Sequence, residues 1–488
     1  MSGCNSRDSR DIPVAAPEET GVPSGAILDF LDGMERFGLK RHSIILIRRG
    51  KVIAEGYWKP FHRGFMQRLY SASKSFVSLA IGLLADEGKI ALDDRVCGYF
   101  PEKQPPGGAH PWIAAATIRD LLRMASPHSS TTYKPGMTDW VGSFFTAKPT
   151  HMPGAVFVYD TSATHVLGAL VEKVSGKPLL DSMRPRFLDS IGFSRDAYCI
   201  QDPMGVSWGG SGVVCTAMDF AKVALACLQG GRYGGEQLLP EWYVREATAC
   251  QIDNFATGHH ADGVQGYGYQ FWAYRNRSFA FNGMALELAI CVPDRDFACV
   301  TTGNDLWNSN VPMVCDPLWS SLYPRMSDAA LPEDGAACGA LRERLAGLSA
   351  KAVAGRHGSH SSRGQALLDG RTARMEPNGL GISRVRVCFE SGGGVFHYEK
   401  SGRWLSLRFG FGRHEAQAFQ EYGDDCLASG AWANDSALNI CCMFVGNRMA
   451  ELRICVAVRE DSVTIQLRSA AEAMLEDYDG DASGLFDE

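Results

Sequence analysis

Ser71-Ala-Ser-Lys74 opens the stretch that decides the fold, and Ser-Phe-Val-Ser-Leu-Ala-Ile-Gly-Leu-Leu84 continues it. Apolar and small residues recur through this stretch at helical spacing, which predicts a helix that is buried on most sides. A serine and a lysine three residues apart lie on the same face of such a helix. The lysine amine is then placed to take a proton from the serine hydroxyl, as a serine nucleophile requires. Because a four-residue pattern also arises by chance, the flanking sequence has to show whether this pair is functional.

The segments around this helix alternate between strand and helix patterns. Apolar spacing predicts a helix over 27–34, and two apolar runs on either side of Arg-Arg-Gly50-Lys predict a hairpin over 42–58. Residues 109–260 show mostly helical patterns with loops. Three short strand-like runs follow, at 278–281, 286–292 and 297–302. The order is therefore strands, helices and strands again.

The sequence changes character after about residue 328, so we place the first domain at 16–328. Residues 329–364 contain one predicted helix and a Gly/Ser/His/Arg stretch that resembles a linker. From 365 to 470, short alternating runs separated by turns predict an all-β domain. Residues 1–15 are expected to be disordered, and 471–488 are expected to form a solvated acidic tail.

The composition favours a soluble, packed protein. Of the 488 residues, 45% are hydrophobic, which is ordinary for globular domains. The net charge of -7, without a Lys/Arg run, argues against nucleic acid as a partner. The polar N-terminus does not fit a signal peptide, and no stretch approaches the ~20 apolar residues of a membrane-spanning helix. Neither export nor membrane association is predicted.

Cysteine usage indicates a reducing compartment. The chain contains 15 cysteines, and most stand singly in apolar runs, as Cys291 and Cys455 do. Buried thiols of this kind are typical of cytosolic proteins, so a cytoplasmic location is expected. The sequence contains no C-x-x-C pair, so neither a structural metal nor a cofactor is predicted.

Further motifs accompany the Ser71 and Lys74 pair in a specific order. They are Pro153-Gly154-Ala-Val-Phe-Val-Tyr159 with the helical pattern after it, Gly209-Gly-Ser-Gly212 followed by Thr216-Ala-Met-Asp219, and Phe281-Asn-Gly283. With Ser-x-x-Lys, they resemble the class C β-lactamase-like family of penicillin-recognising serine hydrolases and esterases. The resemblance covers about residues 18–325. Tyr159 matches the first residue of the family's Tyr-x-Asn motif, and Gly283 matches the glycine of its Lys-Thr-Gly motif.

The resemblance implies an α+β fold in which an antiparallel sheet lies beside a helical cluster, with the active site in the cleft between them. It also implies acylation of Ser71, with proton transfers shared by Lys74 and Tyr159. The oxyanion is then expected on the backbone N–H groups of Ser71 and Met284. A free lysine has a pKa of about 10.4, so a basic Lys74 needs burial or cationic neighbours.

Two departures from the family pattern concern the substrate. Thr161 stands where the Tyr-x-Asn motif has its asparagine, and Phe281 stands where the Lys-Thr-Gly motif has its lysine. The other expected substrate-binding residues are Asn282 and Gly283. The cation that would meet a β-lactam or peptide carboxylate is thus missing from its usual position, and only Arg275 or Arg277 stands nearby in the sequence.

The sequence therefore predicts a serine hydrolase, an esterase or amidase acting on a small ester or amide. A β-lactamase or D,D-peptidase-like activity is the alternative within the enzyme class. A non-catalytic binding or sensing protein on the same fold is the alternative from another class. The joint presence of Ser71, Lys74 and Tyr159 argues for the enzyme. The expected partner is a small-molecule or peptide-like substrate.

Three other patterns are given structural interpretations. Gly205-Val-Ser207-Trp-Gly209 fits the G-x-S-x-G nucleophile elbow, but it lacks the apolar strand before it and the helix after it. Residues 477–488 mimic an EF-hand loop without its central glycine, so calcium binding is not predicted. His165 and His128 are expected to be structural, although a catalytic histidine near the nucleophile stays open at this point.

Overall fold

The computed structural model describes residues 10–306, 311–355, 361–472 and 474–487. The chain divides into two compact units. The N-terminal unit contains the residues up to 303 and 309–348, and the C-terminal unit contains 304–308 and 349–488. The boundary lies at 348 and not near 328, because a helix over 335–346 packs against the first helix of the N-terminal unit.

The N-terminal unit is built on antiparallel strands. They are β1 (Arg41–Arg48), β2 (Lys51–Tyr57), β3 (Met66–Arg68), β4 (Tyr198–Cys199), β5 (Val213–Thr216), β6 (Arg232–Tyr233), β7 (Glu236–Gln237), β8 (Trp272–Tyr274), β9 (Ser278–Asn282), β10 (Leu288–Val292) and β11 (Phe297–Gly303). The main sheet has six strands in the order β2-β1-β11-β10-β9-β8. A small sheet with the order β3-β5-β4 leads into the residues of the candidate site.

The helices of this unit form a cluster beside the main sheet. They are α1 (Ser24–Glu35), α2 (Ser73–Asp86), α3 (Pro111–Ala115), α4 (Ile118–Leu122), α5 (Trp140–Thr146), α6 (Thr161–Ser175), α7 (Leu179–Met183), α8 (Ala217–Leu228), α9 (Glu241–Thr248), α10 (Pro312–Pro317) and α11 (Gly335–Ala346). Helix α8 packs against β1, β10 and β11, and α2 packs against α6, α7 and α9. A Cβ on Gly82 would stand 2.4 Å from the Tyr243 ring, so α2 and α9 approach closely only because of this glycine.

The predicted α+β class is confirmed. The hairpin expected over 42–58 is β1 and β2, and every position of β1 is buried because this strand lies inside the sheet. The apolar stretch after Ser71 is α2, whose residues from Ser73 to Leu84 are all buried. Among the described residues, no helix is long and apolar enough to cross a membrane.

The C-terminal unit is a β-barrel with one short helix, α12 (Ser362–Leu368). Its strands are β12 (Thr372–Met375), β13 (Ile382–Glu390), β14 (Gly393–Lys400), β15 (Arg403–Phe411), β16 (Glu415–Ala418), β17 (Asp425–Asn434), β18 (Ala437–Phe444), β19 (Ala450–Val458), β20 (Ser462–Ala471) and β21 (Gly480–Phe486). They form one sheet in the order β15-β14-β13-β12-β21-β20-β19-β18-β17-β16. A parallel pairing of β15 with β17 closes this sheet on itself. The predicted all-β domain is confirmed.

Both ends of the chain differ from expectation. Residues 10–15 are packed rather than disordered: Ile12 is 3% exposed and Val14 pairs with Val52. Residues 1–9 lie outside the described part. The prediction of a solvated acidic tail is wrong for 480–486, which form β21 between β12 and β20. Small residues of β21 face inward while Asp481, the one acidic residue of this strand, faces solvent.

Candidate active site

Ser71 lies at a break between a strand and a helix. After β3, Leu69 donates its N–H to the Val213 carbonyl at 2.8 Å, and Tyr70–Ala72 form one 3-10 turn that leads into α2. Tyr70 has a φ of 47°, a left-handed conformation that residues other than glycine rarely adopt. Such strain persists only where the surrounding structure imposes it. The turn leaves Ser71 half-buried, on the wall of a cleft of about 590 Å³.

Lys74 brings its amine to the Ser71 hydroxyl. The Lys74 side chain is buried, and its Nζ lies 3.1 Å from Ser71 Oγ. The amine also donates to the Gly210 carbonyl at 2.6 Å and lies 5.0 Å from the centre of the Tyr159 ring. The lysine is thus held in one position, with its nitrogen against the Ser71 hydroxyl.

The glycine-rich segment 209–212 supports this amine. The Arg68 guanidinium donates to the Ser211 carbonyl and to the Ser211 hydroxyl, each at 2.8 Å. A Cβ on Gly210 would stand 2.5 Å from Cγ2 of Thr161, so only glycine allows this approach. Thr161 donates its own N–H to Thr131 Oγ1 at 3.1 Å. The structure therefore places Thr161 against the backbone of Gly210 and not among the residues that line the cleft.

Tyr159 lines the cleft beside Ser71. Burial raises the pKa of Tyr159 to about 12, although a hydrogen bond with Ser71 acts in the opposite direction. Its ring lies 5.6 Å from the Trp272 ring at an interplanar angle of 30°. At neutral pH the side chain is a neutral phenol, which donates one hydrogen bond and accepts others.

The position of Tyr159 is set by the start of α6. Asp160 is the N-cap of that helix, and its carboxylate accepts the Ser162 N–H at 2.8 Å. Ser126 donates its hydroxyl to the same carboxylate at 2.7 Å. Burial raises the pKa of Asp160, and the hydrogen bonds from Ser162 and Ser126 lower it. This fully buried cap orients the residue immediately before it toward the cleft.

The predicted oxyanion donors also lie at the cleft. Gly283 directly follows β9, and Met284–Leu286 form a 3-10 turn. Ser71 and Met284 both stand in the first turn of a 3-10 helix, where N–H groups have no partner within the helix. A Cβ on Gly283 would stand 2.3 Å from the Leu69 carbonyl oxygen, so the two segments meet without room for a side chain.

Phe281 does not contact the cleft, contrary to expectation. Its side chain is fully buried, and its ring packs against Phe220 at 5.5 Å and against Phe271 at 4.9 Å. Successive residues of a strand point to opposite faces, so Asn282 lines the cleft while Phe281 enters the core. Asn282 donates its side-chain amide to the Tyr274 hydroxyl at 3.0 Å.

The two arginines considered as sources of charge are engaged elsewhere. Arg275 donates to Asp262 at 2.7 Å and to Asp316 at 2.8 Å. The exposed Arg277 pairs with Asp294 at 2.6 Å. Neither arginine is among the residues that line the cleft.

Sequence reasoning missed part of the cleft wall, namely His259, His260, Trp272, Val311 and Pro312. Most of these residues lie in loops or directly after them. In such segments neither the periodicity of apolar residues nor a known motif indicates which residue lines a site. The adjacent histidine pair was the one visible signal. His260 accepts the Gly263 N–H on Nδ1 at 3.0 Å, so this ring is oriented by its own loop.

The competing residues are structural. Ser207 is buried, and its hydroxyl accepts the Leu179 N–H at 3.4 Å, so it is not presented as a nucleophile. His165 contacts Asp202 at 2.9 Å through Nε2 and is fully buried. His128 donates from Nε2 to the Phe144 carbonyl at 2.9 Å.

Comparison with known proteins agrees with this arrangement. The sequence profile of the family described as Beta-lactamase matches residues 32–312. The 6-aminohexanoate-dimer hydrolase of Paenarthrobacter ureafaciens is 24% identical over 267 residues, which cover 50% of this chain and 67% of that protein. Esterase EstB of Burkholderia gladioli is 30% identical over 161 residues, which cover 28% of this chain and 40% of that protein.

A solved structure extends the likeness in fold. The crystal structure of SurE with D-Leu aligns with a TM-score of 0.51 at 16% identity, and the alignment covers 85% of this chain and 96% of that chain. At this identity the likeness concerns the fold alone. The family match, in contrast, spans more than half of the chain, so the protein belongs to the beta-lactamase family of hydrolases.

Proposed function

We propose that this protein is a serine hydrolase that is acylated on Ser71 and acts as an esterase or amidase on a small neutral ester or amide. The observation that carries the proposal is the 3.1 Å separation between Lys74 Nζ and Ser71 Oγ at the wall of a cleft. Tyr159 and Met284 line the same cleft, so a base, a second proton carrier and an oxyanion donor surround one hydroxyl.

The proposed reaction begins with transfer of the Ser71 proton to Lys74 while Oγ attacks the substrate carbonyl carbon. Burial of an amine generally favours its neutral form, which is the form that accepts a proton. The negative charge that develops on the carbonyl oxygen is stabilised by the N–H groups of Ser71 and Met284. Tyr159, as a neutral phenol, donates a hydrogen bond to the leaving group and relays a proton to it from Lys74. A water molecule then hydrolyses the acyl-enzyme by the reverse sequence of proton transfers.

The preference for a neutral substrate rests on the residues at the cleft. Tyr159, Trp272, Met284 and Val311 offer aromatic and aliphatic surface, whereas Phe281 leaves no cation at the lysine position of the family motif. An amide hydrolase and an esterase are among the relatives, which supports both acyl classes. The aligned regions cover 67% and 40% of those two proteins, so their activities come to this chain as proposals.

A serine-directed fluorophosphonate probe tests the proposal. We expect labelling of the wild type and no labelling of Ser71→Ala, together with turnover of short p-nitrophenyl esters. A fluorescent penicillin distinguishes an esterase or amidase from a β-lactamase or D,D-peptidase-like enzyme, because stable labelling by it would favour the penicillin-recognising alternative. A wild type that neither reacts with the probe nor hydrolyses esters or amides would overturn the proposal in favour of a non-catalytic role.

We also propose a cytoplasmic location, on the basis of cysteine usage. Burial raises the pKa of the Cys215, Cys227 and Cys291 thiols, which keeps them in the unreactive thiol form. Buried, unreactive thiols are typical of proteins from reducing compartments. Localisation of the full chain by fractionation tests this expectation.

A further inference from the structure

A buried polar chain behind the cleft takes no part in the proposed proton transfers. It consists of His42, Gln67 and Glu287, whose exposed fractions are 3%, 4% and 0%. His42 stacks on the Phe61 ring at 3.5 Å, so its surroundings are apolar. Burying a polar or ionisable group is costly unless its hydrogen bonds are made. The polar chain of His42, Gln67 and Glu287 therefore needs a structural or functional explanation.

The directions of its hydrogen bonds follow from the carbonyl groups around Gln67. Gln67 Nε2 donates to the Gly303 carbonyl at 3.0 Å and to Glu287 Oε1 at 2.5 Å. Gln67 Oε1 therefore faces His42, which donates from Nδ1 at 3.0 Å. Glu287 Oε1 also accepts the Gly303 N–H at 3.2 Å. Every donor and acceptor of the Gln67 amide is used, so the side chain has one orientation.

Burial shifts the pKa of both ionisable residues in this polar chain. Burial lowers the pKa of His42 to about 3, so the imidazole is neutral at physiological pH. Burial raises the pKa of Glu287 well above its usual value, which favours the neutral carboxyl. Oε1 accepts both hydrogen bonds, and Oε2 has no hydrogen-bond partner among the described residues.

The two ends of the Gln67–Glu287 bond belong to the two segments that carry the oxyanion donors. Gln67 lies in β3, four residues before Ser71. Glu287 directly follows the Met284–Leu286 turn, and its backbone carbonyl accepts the Gly283 N–H at 2.7 Å. Within that turn, Ala285 has a φ of 63° and Leu286 has a φ of 76°. A turn with two left-handed residues holds its shape only if its surroundings impose it.

We propose that Gln67 and Glu287 are positioning residues: their buried hydrogen bond holds the segment of Ser71 against the turn of Met284, so that both N–H groups converge on one oxygen. The inference rests on the proposed function, because it requires an oxyanion at the cleft. Neither side chain touches the substrate. They act through the backbone of the two donors, and their own hydrogen bond joins residues 220 positions apart in sequence.

The experiment compares two substitutions at one position. Glu287→Gln keeps an acceptor oxygen of the same shape, so it should retain kcat for p-nitrophenyl butyrate within about threefold of the wild type. Glu287→Leu removes the acceptor, so kcat should fall about a hundredfold to a thousandfold, the effect of losing one oxyanion donor. KM should change much less than kcat, because the lost interaction acts in the transition state. Assays are run well below the melting temperature of each variant.

Crystal structures of the same variants give a readout that is independent of turnover. We expect the distance between the Ser71 and Met284 nitrogen atoms to change in Glu287→Leu and to stay at the wild-type value in Glu287→Gln. A folded Glu287→Leu protein with wild-type kcat, or with an unchanged turn, would overturn the inference. If that variant does not fold, Gln67→Leu carries the same test, because Glu287 then keeps its bond to the Gly303 N–H. Failure of the proposed function is distinct, since it would appear as absence of Ser71-dependent activity in the wild type.

Discussion

A buried lysine in each unit shows how the two units of this protein use polar residues differently. In the barrel, Lys400 contacts Asp477 at 2.5 Å and Glu421 at 3.3 Å, so its charge is balanced by carboxylates. In the N-terminal unit, Lys74 instead lies against the Ser71 hydroxyl and the Gly210 carbonyl. The first arrangement stabilises an ammonium group, whereas the second places a nitrogen where it can exchange a proton. Burial alone therefore does not indicate a catalytic lysine; the groups that face it do.

The barrel and the candidate site also differ in how regular their backbone is. Along β20 the barrel alternates inward Val463, Ile465 and Leu467 with polar positions, as a regular strand does. The candidate site instead collects residues that break regular structure, among them Tyr70 and Ala285 with positive φ. Local conformational preference is thus overruled in both segments that flank the candidate site, as it also is at Ser401 and Leu475 of the barrel.

The largest expected effect comes from removing the nucleophile. Ser71→Ala should lower kcat for p-nitrophenyl esters at least about a thousandfold, since the covalent route is then lost. The control is Ser207→Ala, which removes the buried hydroxyl of the competing motif and should leave kcat within about threefold. Steady-state kinetics of both variants check this expectation. Equal losses in the two variants would contradict the assignment of Ser71.

The two buried lysines, Lys74 and Lys400, should respond differently to substitution. Lys74→Ala should lower kcat by about 10²- to 10⁴-fold, because the proton acceptor is lost. Lys400→Ala should leave kcat nearly unchanged and lower the free energy of unfolding by about 1–3 kcal/mol, because a buried ammonium group that pairs with two carboxylates is removed. Kinetics and denaturant unfolding of each variant give the two quantities. A similar kcat for both variants would remove the distinction.

Tyr159 is tested by its pH dependence. Tyr159→Phe should lower kcat about a hundredfold, as expected for loss of a proton-transfer partner. Since the pKa of Tyr159 is raised to about 12, the phenol stays protonated where an ordinary tyrosine ionises. The wild-type kcat/KM should therefore show no loss from tyrosine ionisation up to about pH 10.5. A wild-type decrease near pH 10 that is absent in Tyr159→Phe would contradict this.

One fully buried phenylalanine from each unit allows the two units to be compared by substitution. Phe281 is 0% exposed behind the cleft, and Phe409 is 0% exposed in the barrel. Replacing either with alanine should cost about 3–5 kcal/mol of stability through the cavity left behind. At a temperature where both variants are folded, Phe281→Ala should also lower kcat about tenfold, because Asn282 and Gly283 shift with the strand. Phe409→Ala should leave kcat unchanged. Equal kcat values for the two variants would contradict the role given to β9.

The smallest effect is expected at Arg277, which is exposed and pairs with Asp294. Arg277→Ala should leave KM for a neutral ester unchanged. It should change the free energy of unfolding by no more than about 0.5 kcal/mol. A large increase in KM would show that this arginine contacts the substrate. Michaelis–Menten kinetics with neutral and carboxylated esters distinguish these outcomes.

Several parts of the fold could be predicted because their signals are local. Helical spacing after Ser71 and strand alternation after 365 are read within one element, and both are confirmed. The structure departs from the solvated tail predicted for 471–488 because the acidic residues there favour solvation, whereas alternate positions of β21 carry small residues that fit a sheet. The direction of Phe281 could not be inferred, because a shift of one residue in strand register exchanges the two faces.

The sequence by itself determined that the Lys74 amine can reach the Ser71 hydroxyl, because the two residues are one helical turn apart, across the 3-10 turn at 70–72 and the start of α2. It also determined the family and the α+β class through motifs in a fixed order. Only the tertiary structure decided which distant groups meet at the cleft: Tyr159, Met284 and Trp272 come from separate elements. Likewise, the Gln67–Glu287 bond exists only because β3 approaches the segment that follows the Met284–Leu286 turn. Such contacts depend on packing and register between remote segments, which no local preference specifies.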